Sequence, residues 1–269
     1  MVSQEEKKEM KIVVCIKQVP DTTEVKIDPV KGTIIREGVP SIMNPDDKGG
    51  LEMALRLKDQ VGAEVTLLTM GPPQADDMLR EAFAMGADKA YHLSDRRFAG
   101  ADTLATSNAL AGALRRLDYD LIITGRQAID GDTAQVGPQI AEHLGLPQVS
   151  YVESLSYDGK DKLTCKKATE EGYQMVEVQM PCVLTAVTPV KEARYMSIRG
   201  ILEAYGKEVN VWNADNIEVE ESKLGLKGSP TRVAKSFTKG AKAAGEVHEL
   251  TPEEAVDLII EKLQEKFII

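Results

Sequence analysis

Hydrophobic positions begin with a β-branched run, Lys11 to Val19, whose length and composition predict a buried first strand. Val25-Lys26-Ile27 and Thr33-Ile34-Ile35 flank Asp28 to Gly32, a pattern that predicts a hairpin excursion turning on glycine. Asn44-Pro45 then predicts a helix start, with Asn as the cap and Pro at the first helical position. Leu51, Ala54, Leu55 and Val61 recur on one face of that helix. Strands predicted at Glu64 to Thr69, Lys89 to Leu93 and Asp120 to Thr124 alternate with helices at Gln74 to Met85, Ala101 to Leu117 and Asp132 to Leu144.

After Pro147 the rhythm changes. Val149 to Tyr157, Lys162 to Thr169 and Tyr173 to Gln179 predict antiparallel strands, and Val183 to Val187 a further apolar strand. Beyond Lys191 no strand–helix alternation is visible, and Lys207 to Lys242 is polar and broken by Gly and Pro. A last helix is predicted at Thr251-Pro252-Glu253-Glu254, a capping box, with Val256, Ile259, Ile260, Leu263 and Phe267 as its apolar stripe. The fold class expected is α/β: a doubly wound, mostly parallel sheet with an antiparallel extension and a C-terminal arm ending in a helix. The expected division is a disordered tail over 1–9, an α/β domain over 10–192, and an arm over 193–269.

Composition removes several classes of function. Net charge is −10 and aromatics are 4%, so neither the basic footprint nor the stacking platforms of a nucleic-acid binder are present. No apolar run approaches the roughly 18 residues of a membrane helix, so no membrane insertion is expected. Met1 to Glu9 is polar and acidic and lacks the basic start and apolar core of a signal peptide, so a cytoplasmic location is expected. Cys15, Cys165 and Cys182 are far apart and form no CxxC, and His92, His143 and His248 are scattered. No disulfide framework, iron–sulfur cluster or zinc site is expected within the chain.

In an open α/β sheet, ligands bind beyond the carboxyl ends of the strands near a topological switch point. Cys15 to Val19, Asn44 to Asp47, Thr69 to Pro73 and Thr124 to Gly137 should meet there. The last segment ends a strand at Gly125, turns at Asp130-Gly131 and is expected to start a helix at Asp132 or Thr133. Free N–H groups at that start can bind phosphate, Gly131 permits close backbone approach, and Thr133 and Gln135 offer side-chain hydrogen bonds. The same residues also read as an ordinary cap and turn, and Asp130 and Asp132 would repel a phosphate unless they point away. The loop is neither GxGxxG nor GxxxxGK(S/T), which argues against a stand-alone dehydrogenase and a P-loop ATPase. No Ser/His/Asp set, Cys/His set or carboxylate pair stands out, so no catalytic side chain is assigned. That absence fits a protein whose chemistry belongs to a cofactor.

Several stretches in order resemble the β subunit of electron-transfer flavoproteins, from Lys11 to the last helix. They are Val14-Cys15-Ile16-Lys17-Gln18-Val19, Met43-Asn44-Pro45, Leu79 to Asp88, Gly125-Arg126-Gln127-Ala128-Ile129-Asp130, and Lys167 to Thr185 with Ala193-Arg194-Tyr195 beyond it. The resemblance implies a Rossmann-like adenine-nucleotide-binding domain and a heterodimer with an α subunit. In that family the β subunit binds AMP in many members and FAD in the electron-bifurcating group. Nucleotide contacts would carry over to Cys15, Asn44, Pro45, Asp46, Asp47 and Met70. They would continue along Ala128, Ile129, Asp130, Gly131, Asp132, Thr133, Ala134, Gln135, Val136, Gly137, Pro138 and Gln139. The partner-recognition loop would fall on Tyr195, Ile198, Ile201 and Leu202, with Ile198 as the apolar tip that docks an acyl-CoA dehydrogenase or reductase.

Gly131 to Pro138 and Asn44-Pro45-Asp46-Asp47 resemble the bifurcating group, which implies FAD rather than AMP. In that group NADH is the electron donor. One electron goes to the acyl-CoA enzyme through the α subunit, and the other to ferredoxin or flavodoxin. Two alternatives remain: an electron-relay subunit with structural AMP that accepts electrons from acyl-CoA dehydrogenases, and a stand-alone ATP- or AMP-binding regulatory protein of similar fold.

Overall fold

A computed structural model describes residues 9–21, 40–187, 193–232 and 245–269. The expected tail, apart from Glu9, and the expected hairpin between Val25 and Ile35 lie outside the described residues. The strands are β1 Lys11–Cys15, β2 Gln18–Pro20, β3 Ser41–Met43, β4 Glu64–Met70, β5 Lys89–Leu93, β6 Leu121–Gly125, β7 Gln148–Tyr157, β8 Lys162–Thr169, β9 Gly172–Gln179, β10 Cys182–Ala186 and β11 Val209–Trp212. The helices are α1 Pro45–Val61, α2 Asp76–Met85, α3 Thr103–Leu114, α4 Val136–Leu144, α5 Ile198–Ala204 and α6 Pro252–Glu265.

The main sheet has the order β11-β5-β4-β1-β6-β10-β7-β8-β9, and β2 pairs with β3 in a small antiparallel ribbon. From β11 to β7 the strands run parallel; β7, β8 and β9 continue antiparallel. The chain walks outward from β1 to β4 and β5, then returns to place β6 on the other side of β1. The switch point therefore lies between β1 and β6.

The pleat divides the core in two. Ile12, Val14, Leu67, Ile123 and Leu184 point to one face and pack with Leu51 and Leu55 of α1 and Leu79 and Phe83 of α2. Val13, Leu68, Ile122 and Val183 point to the other and pack with Leu110 and Leu114 of α3 and Ile140 of α4. Adjacent residues serve opposite layers because side chains alternate along a strand. Strands buried on both faces read as continuous apolar runs, which is why Ile12 to Cys15 and Leu121 to Ile123 carry no polar positions.

Two segments differ from the sequence reading. The region beyond Lys191 does contain a helix and a strand: α5, and β11, which pairs parallel with β5 at the sheet edge. The strand β7 is antiparallel only to β8; its start runs parallel to β10. The structure divides into two compact units, 1–234 and 235–269. The second contains α6, whose Thr251 hydroxyl accepts from the Glu254 amide while the Glu254 carboxylate accepts from the Thr251 amide, the expected capping box.

Leu184 lies in the middle of the parallel sheet and is fully buried. Leu184→Ala should lower unfolding free energy by about 2–5 kcal/mol. Tyr173→Ala, on exposed edge strand β9, should stay within about 0.5 kcal/mol. Paired urea denaturation curves check this; equal shifts in midpoint would contradict the assignment of the core.

Candidate functional site

The carboxyl ends of β1 and β6 open where the sheet order reverses, and α1 begins beside them. Asn44 occupies the cap position of α1 yet makes no side-chain cap bond. Its amide is spent elsewhere: Nδ2 donates to Gln127 O at 2.8 Å and Oδ1 accepts from Ile129 N at 3.0 Å. Its own backbone N–H donates to Lys17 O at 2.8 Å. One buried side chain thus fixes the loop after β6 against the exit of β1.

Asp47, in the first turn of α1, closes the same junction. Its Oδ2 accepts from Lys17 N at 2.8 Å and its Oδ1 from Gly125 N at 2.9 Å. Burial pushes its carboxyl up to about 7, against the opposing pull of those N–H donors. A Cβ on Gly125 would run into the Asp47 carboxylate and the backbone of Asp46 and Asp47, so α1 can approach β6 only because residue 125 is glycine. Cys15 ends β1 beside them; burial, then the Asp47 charge, pushes its thiol up to about 12, which makes it an inert core thiol.

The loop after β6 is held from both sides. Lys17 Nζ lies 2.6 Å from Asp130 Oδ1, and Asp130 is nearly buried. Arg126 Nε lies 3.2 Å from Asp46 Oδ2. Gln127 Nε2 donates to Asp132 Oδ1 at 2.9 Å, and the amides of Gly131 and Asp132 both donate to Ala128 O. The acidic side chains of Asp130 and Asp132 are thereby engaged within the loop.

The helix start differs from the expected one. Asp132 and Ala134 sit at φ 49° and 52°, in the left-handed region, so a right-handed helix cannot begin at Asp132 or Thr133. It begins at Val136, and Gln135 at the cap position makes no side-chain cap bond. Gln135 Oε1 instead accepts from Thr103 Oγ1 at 2.8 Å. Pro138 sits in the first turn, where a missing N–H costs nothing. That proline was the signal in the sequence that placed the start later. A Cβ on Gly137 would come within 2.6 Å of Thr124 Oγ1 and 2.7 Å of Thr185 Cγ2, so the first turn of α4 is pressed against the ends of β6 and β10.

These features fit a phosphate-bearing group. The start of α4 carries N–H groups with no side-chain cap, at the positive end of the helix dipole. Thr69 Oγ1 at the end of β4 and Gln139 Oε1 on α4 are buried without a hydrogen-bond partner among the described residues. Of the predicted contacts, Asn44, Pro45, Asp46, Asp47 and residues 128–139 adjoin this edge. Met70 ends β4, and its neighbouring loop is tied in by Gln18 Nε2 donating to Gln74 O at 3.1 Å. Thr133 makes no side-chain hydrogen bond among the described residues. Lys17 lies in a segment expected to meet here but is not singled out by the sequence, and Thr185 of β10, whose hydroxyl accepts from Tyr151 N at 3.0 Å, is not expected at the site from sequence. Among the described residues no group of His, Cys, Asp and Glu could hold a metal ion, and no helix is long and apolar enough to cross a membrane.

A second surface lies on residues 194–207. Tyr195, Ile198 and Leu202 are 96%, 82% and 78% exposed, and Ile201 is also exposed, so this short helix turns its apolar residues outward. Its base is tightly held. Arg194 donates from N and Nε to Glu52 Oε2 at 3.0 and 2.9 Å and from Nη2 to Asp59 at 2.7 Å. Burial would raise Glu52, but the Arg194 and Arg56 hydrogen bonds outweigh it and hold the carboxyl below its usual range. Arg80 Nη1 donates to Ala204 O at 2.9 Å and Lys207 O at 2.6 Å, pinning the far end.

The fold and this edge define a doubly wound α/β chain with an uncapped helix start at its switch point. Residues 31–217 match the family model described as the electron transfer flavoprotein domain, and the chain belongs to the electron transfer flavoprotein family. It is 59% identical over 260 residues to the electron transfer flavoprotein subunit beta of Clostridium acetobutylicum, covering 97% of this chain and 100% of that one. It is 53% identical over 263 residues to the caffeyl-CoA reductase-Etf complex subunit CarD of Acetobacterium woodii, with the same coverage. It is 46% identical over 269 residues to the acryloyl-CoA reductase electron transfer subunit gamma of Anaerotignum propionicum, again covering 97% and 100%.

Asn44→Ala would leave Gln127 O and Ile129 N without their partner, so stability should fall by about 1–3 kcal/mol and retained nucleotide should fall with it. Thermal melts and nucleotide content of the purified variant check both. Asp47 provides a pH test. Its folded value near 7 lies above the ordinary 3.8, so the stability it contributes is full below about pH 4 and is lost as pH rises towards 7. Asp47→Asn should flatten the stability profile across that window; an unchanged slope would mean that Asp47 does not titrate there.

Proposed function

We propose that the chain is the β subunit of a heterodimeric electron-transfer flavoprotein that binds FAD and works in electron bifurcation with an α subunit. In this reading electrons from NADH pass to an acyl-CoA dehydrogenase or reductase and to ferredoxin or flavodoxin. The observation that carries the nucleotide site is the loop at the β1/β6 switch point. Two left-handed residues, Asp132 and Ala134, deliver the chain to an α4 start that no side chain caps. The flavin, when bound, supplies the redox chemistry.

The chain's own residues have binding and positioning roles. The backbone between Gly131 and Gln139 would hold the phosphates, with the first turn of α4 offering N–H donors. Asn44 and Asp47 hold that loop and the β1 exit in register, through hydrogen bonds to Ile129, Gln127, Lys17 and Gly125. Lys17 neutralises the Asp130 carboxylate, which would otherwise repel a phosphate on this loop. FAD in place of AMP is supported by Gly131 to Pro138, which resemble the FAD-binding members. An acyl-CoA enzyme as partner is supported by relatives named as subunits of caffeyl-CoA and acryloyl-CoA reductase systems. Tyr195, Ile198, Ile201 and Leu202 form the docking surface, an apolar anchor on a charge-pinned base.

Co-expression with the α partner, denaturation and quantification of released nucleotide test the reading. Two FAD and no AMP per heterodimer is the expected result. One FAD and one AMP would sink the bifurcating role and leave an electron-relay subunit with AMP as a structural ligand.

A further inference from the structure

A shallow, open depression lies between α3, α4 and the segment 222–230. It has a volume of about 570 Å³, within the range of small-molecule sites. Its polar lining includes Asn108, His143, Ser222, Lys223, Lys227 and Ser229, and no carboxylate lines it. That composition runs against a chain whose net charge is −10.

Several of these groups are available. Lys227 has no ion-pair or hydrogen-bond partner among the described residues, and neither has the Asn108 side-chain amide. Lys223 reaches Glu220 at 3.0 Å, but both side chains are more than half exposed, and such a surface pair is weakly held. The Ser107 hydroxyl donates to Leu104 O at 2.9 Å, so at 3.1 Å from His143 Nε2 it accepts a hydrogen bond from the ring. Burial, then the nearby Arg115 charge, opposed by Glu142 and joined by Lys223, holds His143 below its usual value, as a positive local field should.

The wall of the site is built, not incidental. Asp102 caps α3 through Ala105 N at 3.0 Å and also accepts from Thr231 N and Oγ1, next to Pro230. Ser229 Oγ donates to Gly225 O and accepts from Asp102 N. These bonds hold the 222–230 segment against α3 with Lys223 and Lys227 at the opening.

We infer that this pocket is an anion site that takes a phosphate- or pyrophosphate-bearing metabolite of nucleotide size, distinct from the nucleotide held at the switch point. Lys227 and Lys223 meet the charge, and Asn108 supplies a neutral hydrogen bond to a phosphate oxygen, while the Ser222 hydroxyl donates to Glu220 Oε2 at 3.4 Å. The site does not depend on whether the switch-point nucleotide is FAD or AMP.

The probe is inorganic pyrophosphate, titrated calorimetrically into the intact complex with its own nucleotide saturated, at constant ionic strength set with chloride. Saturable binding is expected. Lys223→Ala with Lys227→Ala should weaken it roughly tenfold or more, Asn108→Leu should weaken it less, and Lys162→Ala on the β8 strand should leave it unchanged. Far-UV circular dichroism of each variant confirms that the fold survives. Absence of saturable binding would overturn the inference. So would equal binding by the double variant, or binding that appears only when the switch-point nucleotide is missing.

Discussion

The carboxylate of Asp47 joins the two strands that define the site. It lies buried in the first turn of α1 and accepts from the backbone of Lys17, just past β1, and of Gly125, at the end of β6. Burying a carboxylate is costly unless it is hydrogen-bonded. Here the donors are backbone N–H groups at the exits of neighbouring parallel strands, groups that the sheet itself no longer pairs. The helix N-terminus adds a favourable field. The carboxyl group therefore satisfies the strand exits while their N–H donors offset part of the cost of burying it, and glycine at 125 lets the helix come close enough for the exchange.

Asn44 shows the same reassignment one turn earlier. An Asn before Pro at a helix start usually caps the helix through its own side chain. This one gives both side-chain atoms to the loop at Gln127 and Ile129. The helix forgoes a local cap, and the loop gains a clamp. Such a departure from local rules is expected where a site is built rather than where a fold is merely closed. Gln135 repeats the pattern at α4, where the side chain pairs with Thr103 and the first turn is left uncapped.

The sheet was legible in the sequence because burial on both faces leaves continuous apolar runs, as at Ile12 to Cys15 and Leu121 to Ile123. The capping box at Thr251 was legible because both of its partners are local. The strand β11 was not, since Val209 to Trp212 is short and half-exposed and owes its place to pairing with β5 more than a hundred residues earlier. The start of α4 was misplaced because Asp and Thr are good caps locally, while Asp132, bonded to Ala128 and Gln127, and Ala134 both adopt left-handed conformations. Asn44 and Asp47 could be picked out as a helix start from sequence. Their use as a clamp could not, because it depends on the loop returning from β6.

α1 serves two places at once, from its first turn and from its middle. Its first turn holds the switch-point loop through Asn44 and Asp47, and two turns later Glu52 holds Arg194 at the base of the exposed apolar segment. Glu52 is almost fully buried, so removing Arg194 would strip its carboxylate of all but the Arg56 contact at 2.9 Å, which is more disruptive than losing a surface pair. The segment with Ile198 at its tip therefore gains its fixed base from the helix that also braces the loop after β6. An apolar tip is effective at an interface when its backbone is already ordered, because less conformational entropy is lost on docking. The Glu52–Arg194 and Arg80 contacts supply that order, and this is the physical reason for such a polar anchorage beneath so apolar a surface.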